Sequence, residues 1–89
     1  MEVTVQTYAS LKRTVGKKTL SVSLDDGATL TDLATALSDA YPDTTEELFD
    51  GDDLRKSIRI HYNGQVLSET DVELKDGDTV SLMPQIAGG

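Results

Sequence analysis

The chain has 89 residues, 37% of them apolar and 27% charged, with 16 Asp and Glu against 8 Lys and Arg, one histidine and no cysteine. A chain of this size builds one domain around one modest core, and its net charge of −8 argues against nucleic acid and anionic lipid as partners, since both need a basic face. Without thiols there are no disulfides, thiolate nucleophiles or cysteine-ligated metals; no apolar run approaches a bilayer span and the start lacks signal-peptide form, so a soluble, cytoplasmic chain is expected.

In chain order, EVTVQTY (Glu2–Tyr8) alternates Val3, Val5 and Thr7 against Glu2, Thr4 and Gln6, the pattern of a half-buried strand. ASLKRTVGKK follows as a connection in which Leu11 and Val15 can tuck inward. KTLSVSL (Lys18–Leu24) alternates again, and the first two strands are close enough to form a hairpin. The DDG at Asp25–Gly27 is turn chemistry. Thr29 then caps a helix, with Asp32 three residues on as a weaker capping box. Leu30, Leu33, Ala34, Leu37 and Tyr41 recur at helical spacing, and Pro42 ends the run.

DTTEELFD predicts a short helix that turns Leu48 and Phe49 inward, and GDDLRKS a polar loop. IRIHY (Ile58–Tyr62) is a strand, Asn63-Gly64 a type I′ hairpin turn, and QVL the return strand. SETDVEL is irregular, KDGD (Lys75–Asp78) a turn, and TVSLMP the last strand, with Val80 and Leu82 on its apolar phase. Each strand has one apolar face to bury, and one long helix is available to cover them. With the last strand beside the first, the sheet is mixed and the helix lies across it. The expected fold is therefore α+β, a β-grasp domain over residues 1–84 with a tail over 85–89.

Self-contained catalysis needs a nucleophile–base pair, a metal cluster or a phosphate cradle, and none of these is visible. His61 sits on the polar phase of its strand and reads as a solvated residue. The acidic run Asp50–Leu54 falls short of a calcium loop, whose twelfth position demands Glu where His61 stands. KDGD lacks the glycine-rich run before a helix that binds phosphate.

The tail remains. Pro84 cannot donate a ladder hydrogen bond and marks where the sheet releases the chain. QIAGG beyond it reaches roughly 17 Å when extended, enough to enter a partner's active site. Ala87, Gly88 and Gly89 fit a narrow channel, and Ile86 can anchor in a groove or pack back on the domain. The reactive group would be the Gly89 carboxylate, inert until ATP activates it in a separate enzyme. Sulfide could then give a thiocarboxylate, or an amine an amide. A carrier of this kind needs no thiol of its own.

These residues resemble the MoaD/ThiS family of ubiquitin-like sulfur carriers, and most of all MoaD-type proteins and the small archaeal modifiers. The similarity rests on YASLKRTVG, DDGATLTDLATALSDAYP, IRIHYNGQ, LKDGDTVSLMP and the terminal AGG, in that order. ThiS-type carriers generally lack much of Pro42–Ser57, which favours the MoaD-like branch. The resemblance implies adenylation of the terminal glycine by a ubiquitin-activating-type, MoeB-like enzyme that uses ATP, with no cofactor bound to this chain. It implies sulfur delivery in molybdopterin synthesis, beside a MoaE-like subunit, or in tRNA thiolation. In archaeal relatives it implies isopeptide bonds to lysines of target proteins. Gly88 and Gly89 carry over as the functional pair, and Pro84, Ile86 and Ala87 as the docking segment.

The family tail commonly has a second proline where Gln85 stands, which touches docking to a MoaE-like subunit more than adenylation. Lys12, Lys17, Lys18, Lys56 and Lys75 are available for self-modification, with none singled out. A docking patch is implied on the open sheet face near the last strand, where Leu82, Pro84 and Ile86 lie nearest, although Leu82 shares the core phase of Val80. The Asp-rich composition resembles haloarchaeal proteins. A monomer is expected, activated in trans and not itself an enzyme. The alternatives are a dedicated small subunit of molybdopterin synthase and a non-covalent binding module with an incidental diglycine.

Overall fold

The structure is a computed structural model that describes residues 1–67, 69 and 71–84. The first alternating run forms strand β1 (Glu2–Thr7), with Val3, Val5 and Thr7 fully buried. It pairs antiparallel with β2 (Thr19–Ser23). The segment between them is a helix, α1 (Ala9–Val15), where a plain connection was expected. Leu11 and Val15 stand four residues apart, so one helical turn seats both in the core. Gly16, at φ 83°, closes the helix in the left-handed conformation, its N–H donating to the Lys12 carbonyl at 2.8 Å.

Helix α2 (Leu30–Ala40) has the expected ends. The Asp32 N–H donates to Thr29 Oγ1 at 3.3 Å and the Thr29 N–H to Asp32 Oδ2 at 2.9 Å, a complete capping box. Leu30, Leu33, Ala34 and Leu37 are buried, and Tyr41 packs half-buried at the far end. Pro42 opens a 3₁₀ turn (Pro42–Thr44) that leads into a four-residue helix, α3 (Thr45–Leu48). Leu48 is fully buried and Phe49 packs against the core, as their phase predicts. The end of the expected helix and the polar loop after it are instead a small ribbon in which β3 (Phe49–Asp50) pairs with β4 (Asp53–Leu54). Gly51 permits the reversal at φ 70°, and Leu54 packs against the core.

Strands β5 (Ile58–Tyr62) and β6 (Gln65–Leu67) form the second hairpin. Asn63 and Gly64 both have positive φ, 49° and 89°, as a type I′ turn requires. The irregular stretch before the last turn bridges Glu73 to Thr29 and buries Leu74, which binds Ala28 through its N–H. The last strand, β7 (Thr79–Pro84), runs parallel to β1 and antiparallel to β5. Sheet order is β2-β1-β7-β5-β6. One sheet face and the buried faces of α1 and α2 share a single core, the β-grasp arrangement that the element order predicts.

Candidate functional site: the last strand and the open sheet face

β7 occupies the middle of the five-stranded sheet. It pairs with β1 from Thr79 to Leu82 and with β5 from Val80 to Pro84, where Pro84 stands opposite Ile58. Pro84 is the last residue of the strand and half-buried. Among the residues that sequence assigns to tail docking and chemistry, it alone is described. Ile86, Ala87, Gly88 and Gly89, and Gln85 before them, lie outside the described residues. Leu82 is 2% exposed, so it belongs to the core and not to a docking patch.

The start of β7 is held by Asp78, itself buried. Its carboxylate accepts from Tyr62 Oη at 2.5 Å, from the Lys75 N–H at 2.7 Å and from Asn63 Nδ2 at 3.2 Å. Asn63 in turn accepts from the Thr79 N–H through Oδ1 at 2.9 Å and donates its own N–H to the Thr79 carbonyl at 2.8 Å. Burial works to raise the Asp78 carboxyl, but the donors Tyr62, Lys75 and Asn63 outweigh it and hold the group below the usual carboxylate range. The same bond to Asp78, with burial and the negative charge beside it, raises the Tyr62 hydroxyl. The turn residues that sequence assigns to a hairpin thus also fix where the last strand begins.

The opposite sheet face carries the alternate phase. Across β1, β7, β5 and β6, Gln6, Ser81, His61 and Val66 stand in one row, with Met83 opposite Arg59 in the next. Ser81 Oγ and Tyr8 Oη both donate to Gln6 Oε1, at 3.1 and 3.2 Å. Val66 is 66% exposed, the large apolar side chain most open to solvent among the described residues. With half-buried Met83 it forms the apolar part of this face, beside exposed Arg59. Sequence reasoning missed Val66 and Met83 because apolar residues on a polar phase look like noise until the register puts them on one sheet face.

His61 corrects an expectation. It was to be a solvated strand residue, yet it is half-buried and its Nε2 is covered without a hydrogen-bond partner among the described residues. Strands on both sides of β5 crowd the position. Lys12, Lys17, Lys18, Lys56 and Lys75 are all exposed, and the Lys18 ammonium lies 5.7 Å from the Tyr8 ring centroid. Among the described residues no helix is long and apolar enough to cross a membrane.

Residues 5–89 match the model of the ThiS family. The chain is 29% identical over 92 residues to small archaeal modifier protein 3 of Haloferax volcanii, covering all of both chains. It is 32% identical over 84 residues to small archaeal modifier protein 1 of the same organism, covering 92% of this chain and 94% of the relative. The crystal structure of that second protein aligns at a TM-score of 0.90 and 28% identity over the whole of both chains. A chain in the complex of subunits 1 and 2 of molybdopterin-converting factor from Helicobacter pylori aligns at a TM-score of 0.64 and 25% identity, again covering all of both chains.

Proposed function

The chain belongs to the ThiS family, and from that premise we propose a ubiquitin-like carrier and modifier, active in the cytoplasm, whose chemistry lies on the carboxylate of Gly89. The observation that carries this reading is a family match running through Gly89, in a fold whose central strand leads to that tail from Pro84. A carboxylate at neutral pH is a poor acyl donor, because the leaving group would be an oxide. A MoeB-like enzyme using ATP overcomes this: the carboxylate oxygen attacks the α-phosphorus, pyrophosphate leaves and an acyl-adenylate forms. Sulfide then displaces AMP to give a thiocarboxylate, or a lysine amine displaces it to give an isopeptide bond. Gly88 and Gly89 leave the carbonyl sterically open, and Pro84, Ile86 and Ala87 guide the tail into the enzyme. The open sheet face with Val66, Met83 and Arg59 is the surface on which that enzyme lands.

Both small archaeal modifier proteins that the chain resembles are modifiers by name, which favours conjugation to proteins as one outcome. The match to a chain of the two-subunit molybdopterin-converting factor favours a second reading, as sulfur-donating small subunit beside a MoaE-like partner. Stable co-purification with such a partner separates the two.

The deciding experiment is mass spectrometry of the protein from its native host. Trypsin releases Asp76–Gly89, because Lys75 is the last basic residue. Sulfur-for-oxygen exchange on that peptide, or its linkage to lysines of other proteins, is the expected result. A free, unmodified carboxylate under both sulfur-replete and stressed growth overturns the reading and leaves a non-covalent binding module.

A further inference from the structure

Asn63 is the only asparagine in the chain, and Gly64 follows it. In such a pair the main-chain nitrogen of the glycine can attack the side-chain amide carbon, because no glycine side chain shields it. A five-membered succinimide closes, the amide nitrogen leaves as ammonia, and water opens the ring. Opening at the side-chain carbonyl leaves an aspartate in the ordinary chain. Opening at the main-chain carbonyl leaves an isoaspartate, with the chain routed through the side chain. One water enters and one ammonia departs, so no oxidant, cofactor or enzyme is required. The pair that suits the hairpin turn is also the thermolabile point of the sequence.

The fold ties down the groups that this reaction must move. Asn63 Nδ2, the leaving nitrogen, donates to Asp78 Oδ1 at 3.2 Å, and Asn63 Oδ1 accepts from the Thr79 N–H at 2.9 Å. The Asn63 N–H donates to the Thr79 carbonyl at 2.8 Å. Both ends of the side-chain amide are thereby bound to the start of β7. Bringing its carbon onto the Gly64 nitrogen breaks both bonds, one of them to a carboxylate.

Neither product can take the place of the asparagine. An aspartate at this position keeps an oxygen for the Thr79 N–H, but sets its other oxygen against Asp78 Oδ1, where the 3.2 Å bond stood. Asp78 is buried, and its donors, Asn63 among them, hold its carboxyl below the usual range. At neutral pH two carboxylates would then face each other in place of a donor and an acceptor. An isoaspartate adds a main-chain carbon to a turn whose two residues stand at φ 49° and 89°, and a type I′ hairpin has no room for it. Either product loosens the joint at which β7 begins.

We propose that Asn63 is a modification site guarded by the fold. While Asp78 and Thr79 hold its amide, the asparagine persists. A chain that opens at this joint deamidates, and at neutral pH the joint does not close again in its original form. The residue therefore records, irreversibly, that the strand leading to the tail has once come loose. This inference does not depend on what the tail carries, so it stands or falls separately from the carrier reading.

Mass spectrometry of the full chain, aged in mildly alkaline buffer, tests this. Trypsin releases Ile60–Lys75, and a gain of one mass unit located at Asn63 reads the reaction. The folded chain is expected to convert about a hundredfold more slowly than the chain unfolded in urea, as the loss of two such bonds requires. Asp78→Ala frees Nδ2 and should convert about tenfold faster than the folded parent. Leu11→Ala weakens the core and leaves the joint whole; brought by urea to the same unfolded fraction as Asp78→Ala, it should keep the slower rate. Asn63→Asp installs the product directly. It should lower the melting temperature, and by more in mildly alkaline than in mildly acidic buffer, where a shared proton restores a bond to Asp78. A folded chain that converts as fast as the unfolded one overturns the proposal. Equal rates in Asp78→Ala and the matched Leu11→Ala, or a full-strength melt in Asn63→Asp at alkaline pH, also overturn it.

Discussion

Asp78 gathers three donors from two turns, and the strand that leads to the tail begins at the residue after it. Because its carboxyl is held below the ordinary range, its contribution to stability is complete above the unfolded value of about 3.9 and is lost as pH falls through the lower folded value. Tyr62 has the opposite sense. Its hydroxyl is raised, so its contribution holds below about pH 10 and is lost as pH rises through the folded value. Asp78→Asn is expected to cost about 1–3 kcal/mol at neutral pH and to flatten the acid limb of stability, read by urea denaturation across a pH series. Tyr62→Phe removes one donor, so the folded value of Asp78 rises toward the unfolded one, and the acid limb should end at higher pH with a smaller total loss of stability. Val66 makes a separate residue-scale prediction, since its side chain is open to solvent and supports little of the fold. Val66→Asp should lower kcat/KM for adenylation by the activating enzyme about tenfold or more and leave the melting temperature within a few degrees. Unchanged kinetics would move the landing surface elsewhere.

The helices divide into one announced by its ends and one announced by nothing local. α2 carries a cap, an apolar stripe and a proline stop, so its signal is visible in any window of the sequence. Thr29→Ala should cost about 1 kcal/mol through the lost cap. α1 has two inward residues over seven positions, and two points do not establish a period. Its helical form comes from what Leu11 and Val15 meet once the sheet is assembled. Leu11 is fully buried, so Leu11→Ala should cost about 2–5 kcal/mol, more than the cap of the more obvious helix. Thermal and chemical denaturation of the two variants side by side checks that ordering. A loss in Leu11→Ala below that of Thr29→Ala would mean α1 is the loose connection its sequence suggests.

At the scale of the molecule, the proposed function divides the chain into a body that presents and a tail that reacts. The sheet places β7 between β1 and β5 and ends it at Pro84, and the chain carries a net charge of −8, a balance that favours solvation of the body. This division predicts that changes at the tail separate stability from activity. One residue appended after Gly89, or Gly89→Pro, should abolish thiocarboxylate formation and conjugation, with the melting temperature unchanged. Intact mass spectrometry after incubation with the activating enzyme, ATP and sulfide reads the first, and denaturing electrophoresis of host lysate reads the second. Retained activity in either variant would sink the role of the Gly89 carboxylate.

Much of this was legible in the sequence. Alternation marked four strands of the main sheet, the capping box and Pro42 bounded α2, Asn63-Gly64 specified the type I′ turn and with it the fifth strand, and the phase of Val80 placed Leu82 in the core. Those signals are local, because a side chain's face follows from its neighbours two to four positions away. The sequence by itself therefore determined which residues turn inward, the class of fold and the glycine pair at its end. It could not show the helical form of α1, the β3–β4 ribbon or the cover over His61. Nor could it show the joining of Asp78 to Tyr62 and Asn63, or the placing of Val66 and Met83 on the same sheet face. Each of these depends on partners distant in the chain, and only simultaneous burial of every apolar face selects them. Periodicity says that a face must be covered; the assembled sheet decides by what, and which edge is left open.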